Sequence, residues 1–172
     1  MLRTLDEFED VRGAAERPLF PEGGPLQAAL TDMQDVAFCN SAKYQEQQWR
    51  ADRTMCDLGL LEFEKTYIRI ARERYGIPLF CHTARRTAAE QDRLHREGFS
   101  RSVDGPHMHG FAVDIIHGRK AWNLSRSQWG ILGHIGKEVI KNISPKISLD
   151  WGGDWRFYDP AHWQVRYWRK RK

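Results

Sequence analysis

From Asp57 onward, Leu60, Phe63, Tyr67, Ile70 and Ala71 follow the i, i+3, i+4, i+7 spacing of one helix face. Gly76 and Pro78 then stop the pattern in the order expected at a helix C-terminus. The apolar run at 78–83 reads as a short buried strand. Thr87 and Glu90 form a capping box that opens a second helix, which ends near Gly98. Residues 110–116, with β-branched Val113, Ile115 and Ile116, are strand-like. Ser125 and Gln128 offer another capping box, for a helix through Trp129, Leu132, Ile135, Val139 and Ile143. Residues 148–151 and 161–167 are the remaining strand candidates. Helices and strands mix without a regular βαβ alternation, so the expected class is α+β.

Upstream, Leu26, Leu30, Met33, Ala37 and Tyr44 recur at near-helical spacing and predict one or two helices up to about Arg50. Pro and Gly at 18–25 interrupt any period and read as loop. The division this suggests is an N-terminal helical extension at 1–56 and a main domain at 57–172. With 172 residues, 41% hydrophobic and 29% charged, the chain can fold around a core and does not have a disordered tail's composition. No apolar run approaches the roughly 20 residues that span a bilayer. The first residues lack the apolar stretch of a secretory signal, so synthesis in the cytoplasm is expected.

Cys39, Cys56 and Cys81 form no CxxC pair and read as small buried apolar residues. The formal charge of +4 is mild, and much of it sits in Arg166, Arg169, Lys170, Arg171 and Lys172. Such a tail suits an anionic envelope, a nucleic acid or simply a solvated chain end. Six of the seven tryptophans lie after residue 121 and read as core, so nucleic acid is not an expected partner.

Among seven histidines, His82, His95, His117 and His134 stand alone, and His134 reads as packing within its helix. His107 lies in a loop feeding a strand, Asp114 sits inside that strand, and His162 opens the last one. An acid within a β-branched run is costly to bury unless something positive compensates it. A metal ion would do so, and two histidines, a carboxylate and an open fourth position describe a catalytic zinc site. Zinc lowers the pKa of its water, and Asp159, close to His162 in sequence, is the natural base to take the proton.

The pattern His107-x-x-Gly110-x-Ala112-x-Asp114, with a distal Asp159-x-x-His162-Trp163, resembles the LAS zinc peptidases. These comprise D-Ala-D-Ala carboxypeptidases, related dipeptidases and phage L-alanyl-D-glutamate endolysins. The block from Trp151 to Trp155 resembles the endolysin branch, and the block from Arg86 to Gln91 resembles the family's arginine-to-glutamine segment. The resemblance implies a small antiparallel sheet with flanking helices. It also implies zinc held by His107, Asp114 and His162, with Asp159 as acid/base and Arg86 polarising the substrate carbonyl. Gln91 would support that loop, while Asp154 and Trp155 either shape the cleft or serve as a turn and a core aromatic.

Gly105 stands where the family usually has Ser or Thr, Ala161 where endolysins often have Pro, and His109 is extra. If extended, the segment would turn His109 to the opposite face from His107. The implied activity is hydrolysis of the L-Ala-D-Glu bond in the peptidoglycan stem peptide, by a phage or prophage enzyme acting at the cell wall or periplasm, or carried in a virion. The alternatives are a D-Ala-D-Ala carboxypeptidase or dipeptidase, and a non-catalytic cell-wall-binding or virion module.

Overall fold

The computed structural model describes residues 23–144 and 146–172; most of the predicted loop at 18–25 lies outside them. The helix predicted from Asp57 is α4 (Leu58–Tyr75), in which the Asp57 carboxylate caps Leu60 N–H and Gly76 closes the C-terminus at φ 65°. Both predicted capping boxes form, starting α5 (Ala88–Arg96) at Thr87 and α6 (Arg126–Asn142) at Ser125. The strands are β1 (Leu79–Thr83), β2 (Ala112–His117), β3 (Leu149–Trp151) and β4 (His162–Val165). They form one antiparallel sheet in the order β1-β2-β4-β3. The α+β expectation, with a small antiparallel sheet and flanking helices, is borne out.

Strand alternation divides the work of this sheet. Val113 opposes Trp163, which opposes Trp151, and these residues face α4 and α6. Phe63 and Tyr67 of α4 meet the Trp163 ring at centroid distances of 4.9 and 5.8 Å, and Trp151 stacks on it at 5.7 Å. Burying aromatics of this size contributes strongly to the stability of the layer. On the other face, Asp114 of β2 is paired directly with His162 of β4.

The predicted upstream helical stretch is divided into α1 (Pro25–Met33), α2 (Val36–Cys39) and α3 (Ala42–Gln48). Two capping side chains make the breaks: Asp35 accepts from Phe38 N–H, and Ser41 from Tyr44 N–H. These helices dock on the sheet. Leu30 and Met33 join the core, the Tyr44 hydroxyl donates to Leu79 O, and Gln47 donates to Gly118 O.

His117, at the end of β2, donates from Nε2 to Met33 O at 2.8 Å and accepts Arg119 and Lys120 N–H at Nδ1. All three cysteines are free and buried. No helix among the described residues is long and apolar enough to cross a membrane.

The last strand is shorter than predicted because Tyr167 adopts left-handed backbone and a 3-10 turn, Trp168–Lys170, follows. Tail charges fold back: Arg166 bonds Asp150, Arg171 bonds Asp57 and Lys172 bonds Asp104. His134, predicted as packing, is exposed instead, because the buried stripe of α6 runs through Trp129, Leu132, Ile135 and Val139. The His107–His109 segment is a 3-10 turn, Pro106–His109, rather than extended chain. His109 accordingly stacks beside Trp168 and contacts Asp104.

Candidate metal centre and active site

Direct pairing of Asp114 with His162 puts both side chains on the sheet face away from the aromatic core. The Pro106–His109 turn brings His107 to the same point, held by its backbone carbonyl, which accepts Arg86 N–H. His107 Nε2 lies 3.2 Å from Asp114 Oδ1 and 3.3 Å from His162 Nδ1, and His162 Nδ1 lies 3.0 Å from Asp114 Oδ1. The three side chains that sequence reasoning selected as metal ligands therefore converge. All three are at least four-fifths buried.

The opposite nitrogen of each ring is occupied. His107 Nδ1–H donates to Ala84 O at 2.7 Å, and His162 Nε2–H donates to Gln164 Oε1 at 3.2 Å. Those bonds place the lone pairs of His107 Nε2 and His162 Nδ1 on the side facing Asp114. Two nitrogen lone pairs and a carboxylate oxygen then meet in a pocket with little water to separate them. Such a donor set repels itself unless a cation or a proton lies between, and it suits zinc in type and number.

The electrostatics show the same demand. Burial opposes ionisation of Asp114, but His107 and His162 outweigh it and hold the carboxyl well below its usual range. Burial likewise opposes charging of His162, yet its bond to Asp114 pushes the imidazole pKa up.

Asp159 lies beside this cluster. Its N–H donates to Gly152 O and its carbonyl accepts His162 N–H, so the loop holds it against the ligand strand. Burial, reinforced by the Asp114 carboxylate, pushes the Asp159 carboxyl up, the direction suited to a proton acceptor. Trp151 ties the same loop down by donating from its indole N–H to Pro160 O at 2.8 Å. Trp155 sets its ring 5.3 Å from that of His162, while Asp154 pairs with Lys137.

Arg86 reaches in from the start of α5. Its Nη2 is 3.5 Å from Asp114 Oδ2, and its Nη1 donates to Gln91 Oε1 at 2.9 Å. Gln91 is buried and donates in turn to Ser100 Oγ and Ser102 O. Sequence reasoning gave Gln91 only a loop-supporting role and missed its bond to Arg86. It missed Gln164 as well, although a residue two positions after His162 on one strand shares its face.

Residues 100–165 match the model of a family described as D-alanyl-D-alanine carboxypeptidase. That segment contains His107, Asp114, Asp159 and His162. Among solved structures, the chain is similar to the Serratia marcescens L-Ala D-Glu endopeptidase ChiX. The two are 20% identical, with a TM-score of 0.56, over 76% of this chain and 92% of that one. No curated protein matches the sequence. The kinship drawn from the motifs is borne out: the segment at 100–165, which carries His107, Asp114 and His162, matches the D-alanyl-D-alanine carboxypeptidase family, and the fold is shared with an L-Ala D-Glu endopeptidase.

Proposed function

We propose that this peptidase hydrolyses the L-Ala-D-Glu bond of the bacterial peptidoglycan stem peptide, with zinc held by His107, Asp114 and His162. The observation that carries the reading is the convergence of two correctly oriented imidazole lone pairs and one carboxylate beside a second, separately held carboxylate. Zinc, when bound, supplies Lewis acidity and makes water nucleophilic near neutral pH.

The chain's own groups supply the rest. Asp159 accepts the proton of the attacking water and hands it to the leaving amine. Arg86, with one nitrogen fixed by Gln91, turns guanidinium N–H groups toward the carbonyl oxygen as negative charge develops there. Ala84 and Gln164 keep the two imidazoles in the tautomers that ligate. The bond assignment draws on the endolysin-like Trp151–Trp155 block and on the likeness to an L-Ala D-Glu endopeptidase. A phage or prophage origin, with action at the cell wall or periplasm or in a virion, belongs to the same proposal.

The test is mass spectrometry of soluble products from purified sacculi digested with zinc-loaded protein. New amino-terminal D-glutamate, on peptides freed from glycan-linked L-alanine, is the expected result. Release of terminal D-alanine alone would transfer the assignment to a carboxypeptidase. No release with zinc bound would make the chain a binding module.

A further inference from the structure

A groove of about 500 Å³ lies at the β3 edge of the sheet, between that edge and α6. Its walls include Trp151, Trp155, Asp150, Asp154, Lys137 and Arg166. Trp155 connects it with the candidate metal centre, since the same indole that lines the groove stands 5.3 Å from the His162 ring.

The groove's charges are matched internally. Lys137 Nζ pairs with Asp154 at 2.7 Å, and Arg166 Nε with Asp150 Oδ1 at 2.7 Å. A third cation of the lining, Lys141, pairs with Glu138 just outside the groove. The surface thus offers hydrogen-bond donors and acceptors and the part-exposed Trp155 indole, but little net charge. That combination disfavours a polyanion and also a purely apolar ligand. It suits a neutral, polyhydroxylated ring that stacks one face on indole and bonds through its rim.

We propose that this groove binds the N-acetylmuramyl sugar to which the stem peptide is attached. The inference rests on the L-Ala-D-Glu reading, which puts the scissile carbonyl on the residue joined to the sugar's lactyl group. Counting backbone-like bonds, the sugar ring then falls roughly two residue lengths, about 7 Å, from the reacting carbon. It must therefore lie near the ligand cluster, and Trp155, which lines the groove and stands 5.3 Å from the His162 ring, is where the two meet. Because the lactyl carboxyl is consumed in the amide, the sugar arrives uncharged, as the paired groove requires.

The experiment titrates the zinc-loaded full chain with N-acetylmuramyl-L-alanine and, separately, with lactoyl-L-alanine, following the indole N–H resonances. Neither probe contains the scissile bond, so binding is read independently of turnover. The muramyl compound is expected to bind about tenfold more tightly, in the range that aromatic stacking and a few hydrogen bonds provide. Lys137→Ala combined with Asp154→Ala should abolish that advantage while leaving zinc content and lactoyl-L-alanine affinity unchanged.

Equal affinity for the two probes overturns the proposal, as does an advantage that survives the double substitution. Sugar preference accompanied by D-alanine release from sacculi would remove the bond assignment and leave the groove standing. L-Ala-D-Glu cleavage without sugar preference would do the reverse.

Discussion

Gln91 packs directly against Gly105: a Cβ built there would make a tight contact, 3.3 Å, with Gln91 Nε2. Where the family pattern has a hydroxyl residue this chain has Gly105, packed against a buried amide that bonds Arg86 on one side and the 100–102 loop on the other. Gln91→Leu should leave those partners unsatisfied and cost about 1–3 kcal/mol of stability. With Arg86 no longer fixed, kcat/KM should fall about tenfold, the equivalent of ~1.4 kcal/mol. Gln91→Glu keeps an acceptor for Arg86 and should recover part of the activity. If Gln91→Leu cleaves at the wild-type rate, Arg86 does not depend on this contact.

Gly152 has a similar relation to the proposed base. A Cβ on Gly152 would stand 2.2 Å from Asp159 O, so the loop carrying Asp159 must move to admit it. Gly152→Ala is expected to retain zinc and lose roughly a hundredfold in turnover, the scale of a 1 Å misplacement in an active site. Asp159→Asn, which removes the proton acceptor without crowding the loop, should fall by about 10²–10⁴ with metal retained. Kinetics and metal analysis on the same samples check both. Near-normal turnover in Asp159→Asn would show that another group accepts the proton.

Much of this arrangement was legible because it is local. An acid inside a β-branched run announced Asp114, and residue pairs three apart announced the caps of α5 and α6. Relations set by distant residues were not legible. The tail looks free in sequence, yet Arg171 finds Asp57 and Lys172 finds Asp104, 114 and 68 positions away. The breaks at Asp35 and Ser41 were obscured because the apolar spacing continues across them while the caps interrupt the helix. His134 was misread although Gly130, His134 and Lys141 mark a solvent stripe that periodicity contains. The local pattern also carried no information on Gln91 meeting Arg86, because tertiary packing determines which way each side chain turns.

The proposed ligands should fail together. His107→Ala, Asp114→Asn and His162→Ala are each expected to lose bound zinc and activity in parallel, since each removes one of three protein donors. Gln164→Met leaves the donors in place but frees the outer nitrogen of His162. Its expected effect is a weakening of metal affinity by about 10–100-fold, the usual cost of removing an outer-shell partner. Zinc titration followed by elemental analysis reads both effects. Full zinc binding by Asp114→Asn would remove the proposed ligand set.

His117 joins the upstream helices to the sheet, and its geometry makes that junction sensitive to acid. The ring is neutral where it sits, donating to Met33 O and accepting two backbone N–H groups at Nδ1. Burial holds its pKa below the usual value, with Lys120 acting in the same direction and the Met33 bond, Asp35 and Asp32 opposing. A depressed histidine pKa means that the unfolded chain takes up the proton first. The stabilisation is therefore complete above about pH 6.5, the unfolded value, and is lost as pH falls through the folded one. Within that window the slope approaches ~1.4 kcal/mol per pH unit. His117→Gln keeps a donor for Met33 O and does not titrate, so its denaturation curves should lack this component. The stability gap between wild type and His117→Gln should narrow on acidification below pH about 6.5. Parallel curves across that range would mean that His117 does not couple protonation to the docking of α1.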